Sequence, residues 1–127
     1  MFTADHRLAV GQHGLMGKQN LFDHSICVPL LISGPDISKG KQVDVMLYQH
    51  SLFATTYDLA GITIPKTVEF TSLADLIMGN SERVKYDAMF CYMEWNIPSY
   101  RMSQRMVRTK SHKLIVYPLV GVTQRLI

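Results

Sequence analysis

The hexapeptide Val28–Ser33, VPLLIS, constrains the fold of this chain more than any other stretch. It is a continuous apolar run closed by the turn-forming residues GPDISKGK. A strand written this way has no polar face for water, so it reads as buried on both sides, as in parallel sheets covered by helices. The residues that follow continue in that style. Gln42–Tyr48 (QVDVMLY) places Val43, Val45 and Leu47 on one face and reads as a second strand. Ser51 then reads as a helix N-cap. Leu52, Phe53, Thr56, Tyr57, Leu59 and Ala60 recur at helical spacing until Gly61 ends the helix. GITIPKTVEF is an irregular connection stiffened by Pro65, and TSLADLIMGN predicts a short helix capped by Thr71 or Ser72 and stopped at Gly79.

From Asp87 the pattern changes. DAMFCYM, QRMVRT and HKLIVYP are three β-rich segments separated by polar turns, which predicts antiparallel pairing of neighbours. The expected fold is therefore α/β. Residues 1–84 would form the end of a mixed sheet with flanking helices and residues 85–127 a small antiparallel subdomain, the boundary falling near Asn80 to Lys85.

Composition narrows the function classes. With 127 residues, 47% of them hydrophobic and 18% charged, the chain has the make-up of a globular core. No apolar run reaches the roughly 18 to 20 residues that cross a bilayer, and the N-terminus lacks the basic and apolar regions of a signal peptide, so no membrane partner is expected. A net charge of +3 is spread from Arg7 to Arg125 without a basic stripe, which argues against a nucleic-acid partner. Cys27 and Cys91 lie outside any CxxC frame and read as buried free thiols.

Chemistry is concentrated in Phe2–Lys18, FTADHRLAVGQHGLMGK. Met1 to Thr3 reads as the stub of a strand, and Asp5 and His6 follow it directly. Open α/β sheets collect ligands just outside the carboxyl ends of their strands. A carboxylate and an imidazole are both ligands for a divalent cation. The segment from Arg7 to Gly17, with Gly11, Gly14 and Gly17, reads as a loop able to fold back and bring Lys18 toward such an ion, where its ammonium would hold an anionic oxygen as a point charge. Each residue also has a plain reading: a turn aspartate, a surface histidine, a solvated lysine. His13 and His24 are open between ligand, proton carrier and surface histidine.

The stretch from FTADHR through VPLLISGPD resembles the second metal-ligand region of the sulfatase family, within the alkaline phosphatase superfamily. That family runs through a strand near FTSDHG, a GxHG loop, a lysine, a YD or YE pair and VPLI. LFATTYDLAGITIP and RMVRTKSHKLIVYP are similar to two further blocks of the family, so the resemblance spans nearly the whole chain. It implies an alkaline-phosphatase-like mixed α/β sheet followed by a smaller C-terminal antiparallel sheet. It implies that Asp5 and His6 bind a divalent cation, commonly calcium, with manganese or zinc also accommodated by these donors, and that Lys18 binds the sulfate group of a sulfate-ester substrate. His13 matches the histidine of the family loop and joins Lys18 on the substrate side.

The departures from the family pattern are equally specific. Sulfatases use a formylglycine made from the Cys or Ser of a C/S-x-P-S/A-R motif, and no such motif occurs here; CVP at Cys27–Pro29 continues into Leu30 and Leu31. The family glycine after DH is Arg7, which puts a second cation beside the site. The expectation is a C-terminal sulfatase portion whose parent chemistry is sulfate-ester hydrolysis and which has little turnover by itself. The alternatives are a non-catalytic remnant, a chain that associates with another supplying the rest of the sheet, and a phosphate or phosphonate ester hydrolase of the same superfamily.

Overall fold

In the computed structural model, which describes residues 1–81, 86–97, 100–118 and 125–126, the chain gathers into two compact units. One comprises Met1–Leu31 with Ala88–Ile127, the other Ile32–Asp87. The domain boundary expected at 84/85 falls at residues 82–85, outside the described residues.

The first unit is built on an antiparallel sheet in the order β5(Met89–Ile97), β6(Tyr100–Arg108), β7(Lys113–Val116), β8(Arg125–Leu126). Cys91 stands opposite Met106, and Met106 opposite Ile115. Side chains alternate across a strand, so Cys91, Met93, Gln104, Met106 and Ile115 share one face. That face meets Leu21, Phe22 and Ile26 to form the core, in which Leu21, Met106 and Ile115 are buried. Arg108 and Lys113, opposite one another in register, continue the same face to its end. The turn between β6 and β7 closes with the Thr109 N–H donating to the His112 carbonyl at 2.8 Å. The three β-rich segments pair as the sequence pattern predicts, and β8 adds a strand the pattern does not announce.

Ahead of this sheet, four short strands carry the N-terminal segment. β1(Phe2–Thr3) pairs antiparallel with β4(Leu30–Leu31), Phe2 against Leu31. The expected six-residue strand at Val28–Ser33 is thus two residues long within this chain, and its partner runs antiparallel. Nor is it buried on both faces: Phe2 and Leu31 are 63% and 64% exposed. β2(Ala9–Val10) and β3(Met16–Gly17) form a hairpin across the stretch read from its glycines as a loop, with a 3-10 turn at Gln12–Gly14. The left-handed backbone at Gly11 (φ 97°) and Gly17 (φ 97°) makes the turn and its exit feasible. α1(Asp23–Ile26) follows, led in by Asn20, whose buried Oδ1 accepts the Phe22 N–H at 3.1 Å and the Ser25 hydroxyl at 2.9 Å.

The second unit holds α2(Ser51–Leu59) and α3(Ala74–Met78). Gly79 ends α3 in the left-handed conformation (φ 83°), and Gly61 (φ 68°) follows Ala60 at the end of α2, as the sequence predicts. Leu73, not Thr71 or Ser72, occupies the N-cap position of α3; the Ser72 hydroxyl, one residue earlier, accepts the Ala74 N–H at 3.1 Å. Two further expectations are corrected. Residues 42–48 form no strand; Tyr48 instead packs edge-on against Phe70 and Tyr86. His50, not Ser51, occupies the N-cap position of α2, and the buried face of that helix is Ser51, Ala54 and Thr55, while Phe53 and Leu59 are exposed. Small residues win this face because Thr55 Oγ1 must come close enough to accept the Leu73 N–H (2.9 Å) while donating to the Ser51 carbonyl (2.6 Å). Among the described residues no helix is long and apolar enough to cross a membrane.

Candidate metal and sulfate site

The β2–β3 hairpin determines which N-terminal side chains meet. Ala9 stands opposite Gly17, so the residues just before β2 and just after β3 are neighbours although twelve positions separate His6 from Lys18. The Lys18 ammonium contacts His6 Nε2 directly. On its other side the same Nε2 lies 3.4 Å from Asp5 Oδ2, while Asp5 Oδ1 accepts the His6 backbone N–H at 3.0 Å. Asp5, His6 and Lys18 therefore converge on one spot.

The donor set can be tested against a divalent cation. Oxygen and nitrogen ligands bind such ions at about 2.0 to 2.6 Å, so two neighbouring donors of one shell stand roughly 3 to 3.5 Å apart. Asp5 Oδ2 and His6 Nε2 meet that spacing, and the Asp5 side chain is 85% exposed, which leaves the carboxylate open to an ion from solvent. Two donors fit part of a coordination shell. Among the described residues no group of three or more His, Cys, Asp or Glu could hold a metal by itself, so oxygens from outside this group must complete it. Lys18 sits on the nitrogen that an ion would use. His6 Nδ1 and Thr3 Oγ1 are buried and have no hydrogen-bond partner among the described residues.

His13 is elsewhere in its contacts. It is exposed, adopts a left-handed backbone (φ 56°), and stacks on Phe22 with ring centroids 4.6 Å apart; His24 lies against both rings at 5.6 and 5.7 Å. Arg7, expected to crowd the cation, directs its guanidinium to the Cys27 carbonyl at 3.3 Å, and its own N–H to the Ser25 carbonyl at 3.0 Å. Cys27 and Cys91 are free thiols, half-buried rather than fully enclosed. Burial pushes the Cys91 thiol up from its ordinary range.

Two supporting groups were invisible in the sequence. Gln104 projects from β6 and accepts the Leu21 N–H at 3.0 Å, three residues after Lys18. Asp23 ties α1 to the end of the sheet, accepting from Lys113 Nζ at 2.8 Å and Arg108 Nη1 at 3.2 Å. Arg108 also reaches Cys27 Sγ at 3.1 Å. Residues 81 to 90 positions apart make these bonds, so no local pattern reports them.

The short β1–β4 pair, the glycine hairpin and the four-stranded antiparallel sheet define a recognisable class: the C-terminal portion of an alkaline-phosphatase-like sulfatase fold. The chain belongs to the sulfatase family, residues 11–124 matching the family N-sulphoglucosamine sulphohydrolase, C-terminal. It is 30% identical over 121 residues to arylsulfatase K of Gallus gallus, covering 92% of this chain and 23% of that protein. To arylsulfatase K of Xenopus laevis it is 28% identical over 109 residues, 86% of this chain and 20% of the relative. The chain thus spans between a fifth and a quarter of the length of these relatives. Among solved structures it superposes on a Bacteroides thetaiotaomicron protein assigned as a sulfatase with a TM-score of 0.86 and 29% identity, over 98% of this chain and 28% of that one. A 2-O GAG sulfatase gives 0.81 and 26%, with the same coverage. A phosphonate monoester hydrolase of Silicibacter pomeroyi shares the fold at 0.83 with 22% identity.

Proposed function

We propose that this chain supplies the cation-holding and sulfate-holding side of a sulfate-ester hydrolase site, with Asp5 and His6 as ligands and Lys18 as the sulfate-binding cation. The observation that carries the reading is the convergence of the three side chains on His6 Nε2. Its support from elsewhere is family membership, together with relatives named as sulfatases.

A sulfate monoester presents anionic oxygens. The Lys18 ammonium neutralises one of them as a point charge, and does so best from a fixed position that needs no reorganisation as charge develops on the leaving group. Asp5 and His6 would hold a divalent cation, calcium being the first choice and manganese or zinc compatible with the donors, which would supply Lewis-acid chemistry. The Asp5 carboxylate orients the His6 backbone through Oδ1, which would leave Oδ2 for an ion. His13, stacked on Phe22, would line the substrate side of the hairpin as an apolar wall with a polar edge.

The 127 residues contain no C/S-x-P-S/A-R motif. Holding an ester does not replace the covalent nucleophile, so these residues alone turn over no substrate. Hydrolysis of an aryl sulfate, measured on this chain alone and on the chain joined to a sulfatase segment carrying the motif, tests the reading. Turnover is expected in the joined protein and should vanish with Lys18→Met. Turnover by the chain alone contradicts it.

A further inference from the structure

We propose that Gln104 is a positioning residue for Lys18, an inference that rests on reading Lys18 as the sulfate-binding cation. Gln104 lies on the inward face of β6 and is 2% exposed. A buried amide is unfavourable unless its oxygen and nitrogen are both satisfied. Gln104 satisfies them on one short segment: Oε1 accepts the Leu21 N–H at 3.0 Å and Nε2 donates to the Gln19 carbonyl at 3.5 Å. Between these two anchors, the Asn20 N–H donates to the Lys18 carbonyl at 2.8 Å. Upstream, Gly17 is paired with Ala9. Lys18 is therefore the one residue suspended between the hairpin and a segment clamped from β6.

A lysine side chain is long and flexible, so the position of its Cα decides which anion its ammonium can reach. Removing the clamp leaves the 19–21 peptides with unpaired groups and lets the segment move with Lys18 on it. Asp5 and His6 follow β1, which is carried by the β1–β4 pair, a support that Gln104 does not touch. Gln104 should thus serve anion binding without serving cation binding, and that split separates positioning from general stability.

The test uses the full chain in two NMR titrations, one with sodium sulfate and one with calcium chloride, at a temperature where each variant is folded. Gln104→Met, close to isosteric but without polar atoms, is expected to weaken sulfate binding roughly tenfold without lowering calcium affinity. Gln104→Glu keeps the acceptor for Leu21, is expected to retain most of the sulfate affinity, and carries the test should the methionine variant not fold. Sulfate and calcium affinities that stay unchanged, or that fall in parallel, make Gln104 a structural residue only and overturn the proposal. A wild-type chain that binds calcium but not sulfate overturns the Lys18 reading itself, and this inference with it.

Discussion

Asp23 Oδ1 accepts the Lys113 ammonium at 2.8 Å, joining the single turn of α1 to the first residue of β7. Burial alone would raise the Asp23 carboxyl, but the hydrogen bond from Lys113, its charge and that of Arg108 outweigh burial and hold the group below its ordinary value. A depressed folded-state value contributes stability that is present above the unfolded-state value of about 3.9 and is lost as pH falls through the folded value. Stability measured by urea unfolding should therefore drop below about pH 4. Asp23→Asn should lower it by about 1 kcal/mol at pH 7, because the carboxylate is half exposed, and should flatten the acid limb. An unchanged acid limb in the variant would contradict the assignment.

The core of the first unit makes a sharper prediction. Ile115 is fully buried, opposite Met106 and against Leu21. Ile115→Ala should cost about 2 to 5 kcal/mol in unfolding free energy, read as a shift in denaturant midpoint with the slope retained.

In the second unit the single hydroxyl of Thr55 joins α2 to the segment entering α3. Thr55→Val keeps the shape and leaves the Leu73 N–H without its acceptor, a loss of about 1 to 3 kcal/mol. Amide hydrogen exchange at Leu73 should accelerate accordingly.

How much of this was legible beforehand follows from the range of the interactions. Antiparallel pairing of the segments around Cys91, Met106 and Ile115 is written in local alternation, and the ends of α2 and α3 are written in Gly61 and Gly79. The convergence of Asp5, His6 and Lys18 was suggested by a glycine-rich segment, though its means, a hairpin in register at Ala9 and Gly17, was not. Val28–Ser33 misled because apolar composition reports what a strand can bury, whereas the pairing with Phe2–Thr3 and the exposure of Leu31 depend on which other segments are at hand. Val43, Val45 and Leu47 alternate without a partner strand among the described residues, and alternation alone does not make a sheet. Gln104 and the Asp23 ion pairs depend on contacts more than 80 positions away, for which a single sequence carries no signal.

Lys18 on His6 Nε2 has a consequence for ion binding. An ammonium a few ångströms from the incoming cation opposes it by Coulomb repulsion and occupies its ligand. Lys18→Met should raise calcium affinity severalfold in calorimetric titration while abolishing sulfate binding. His6→Ala should lower calcium affinity at least tenfold.

The central claim is that Asp5, His6 and Lys18 form one cation and sulfate site, and paramagnetic broadening by manganese reads it directly. Titrating Mn²⁺ into the isotopically labelled chain should broaden the resonances of Asp5, His6 and Lys18 first, with those of His50 and His112 unaffected at the same concentration. Broadening centred instead on Asp23, Asp36 or Asp75, or spread evenly over the exposed carboxylates, would contradict it.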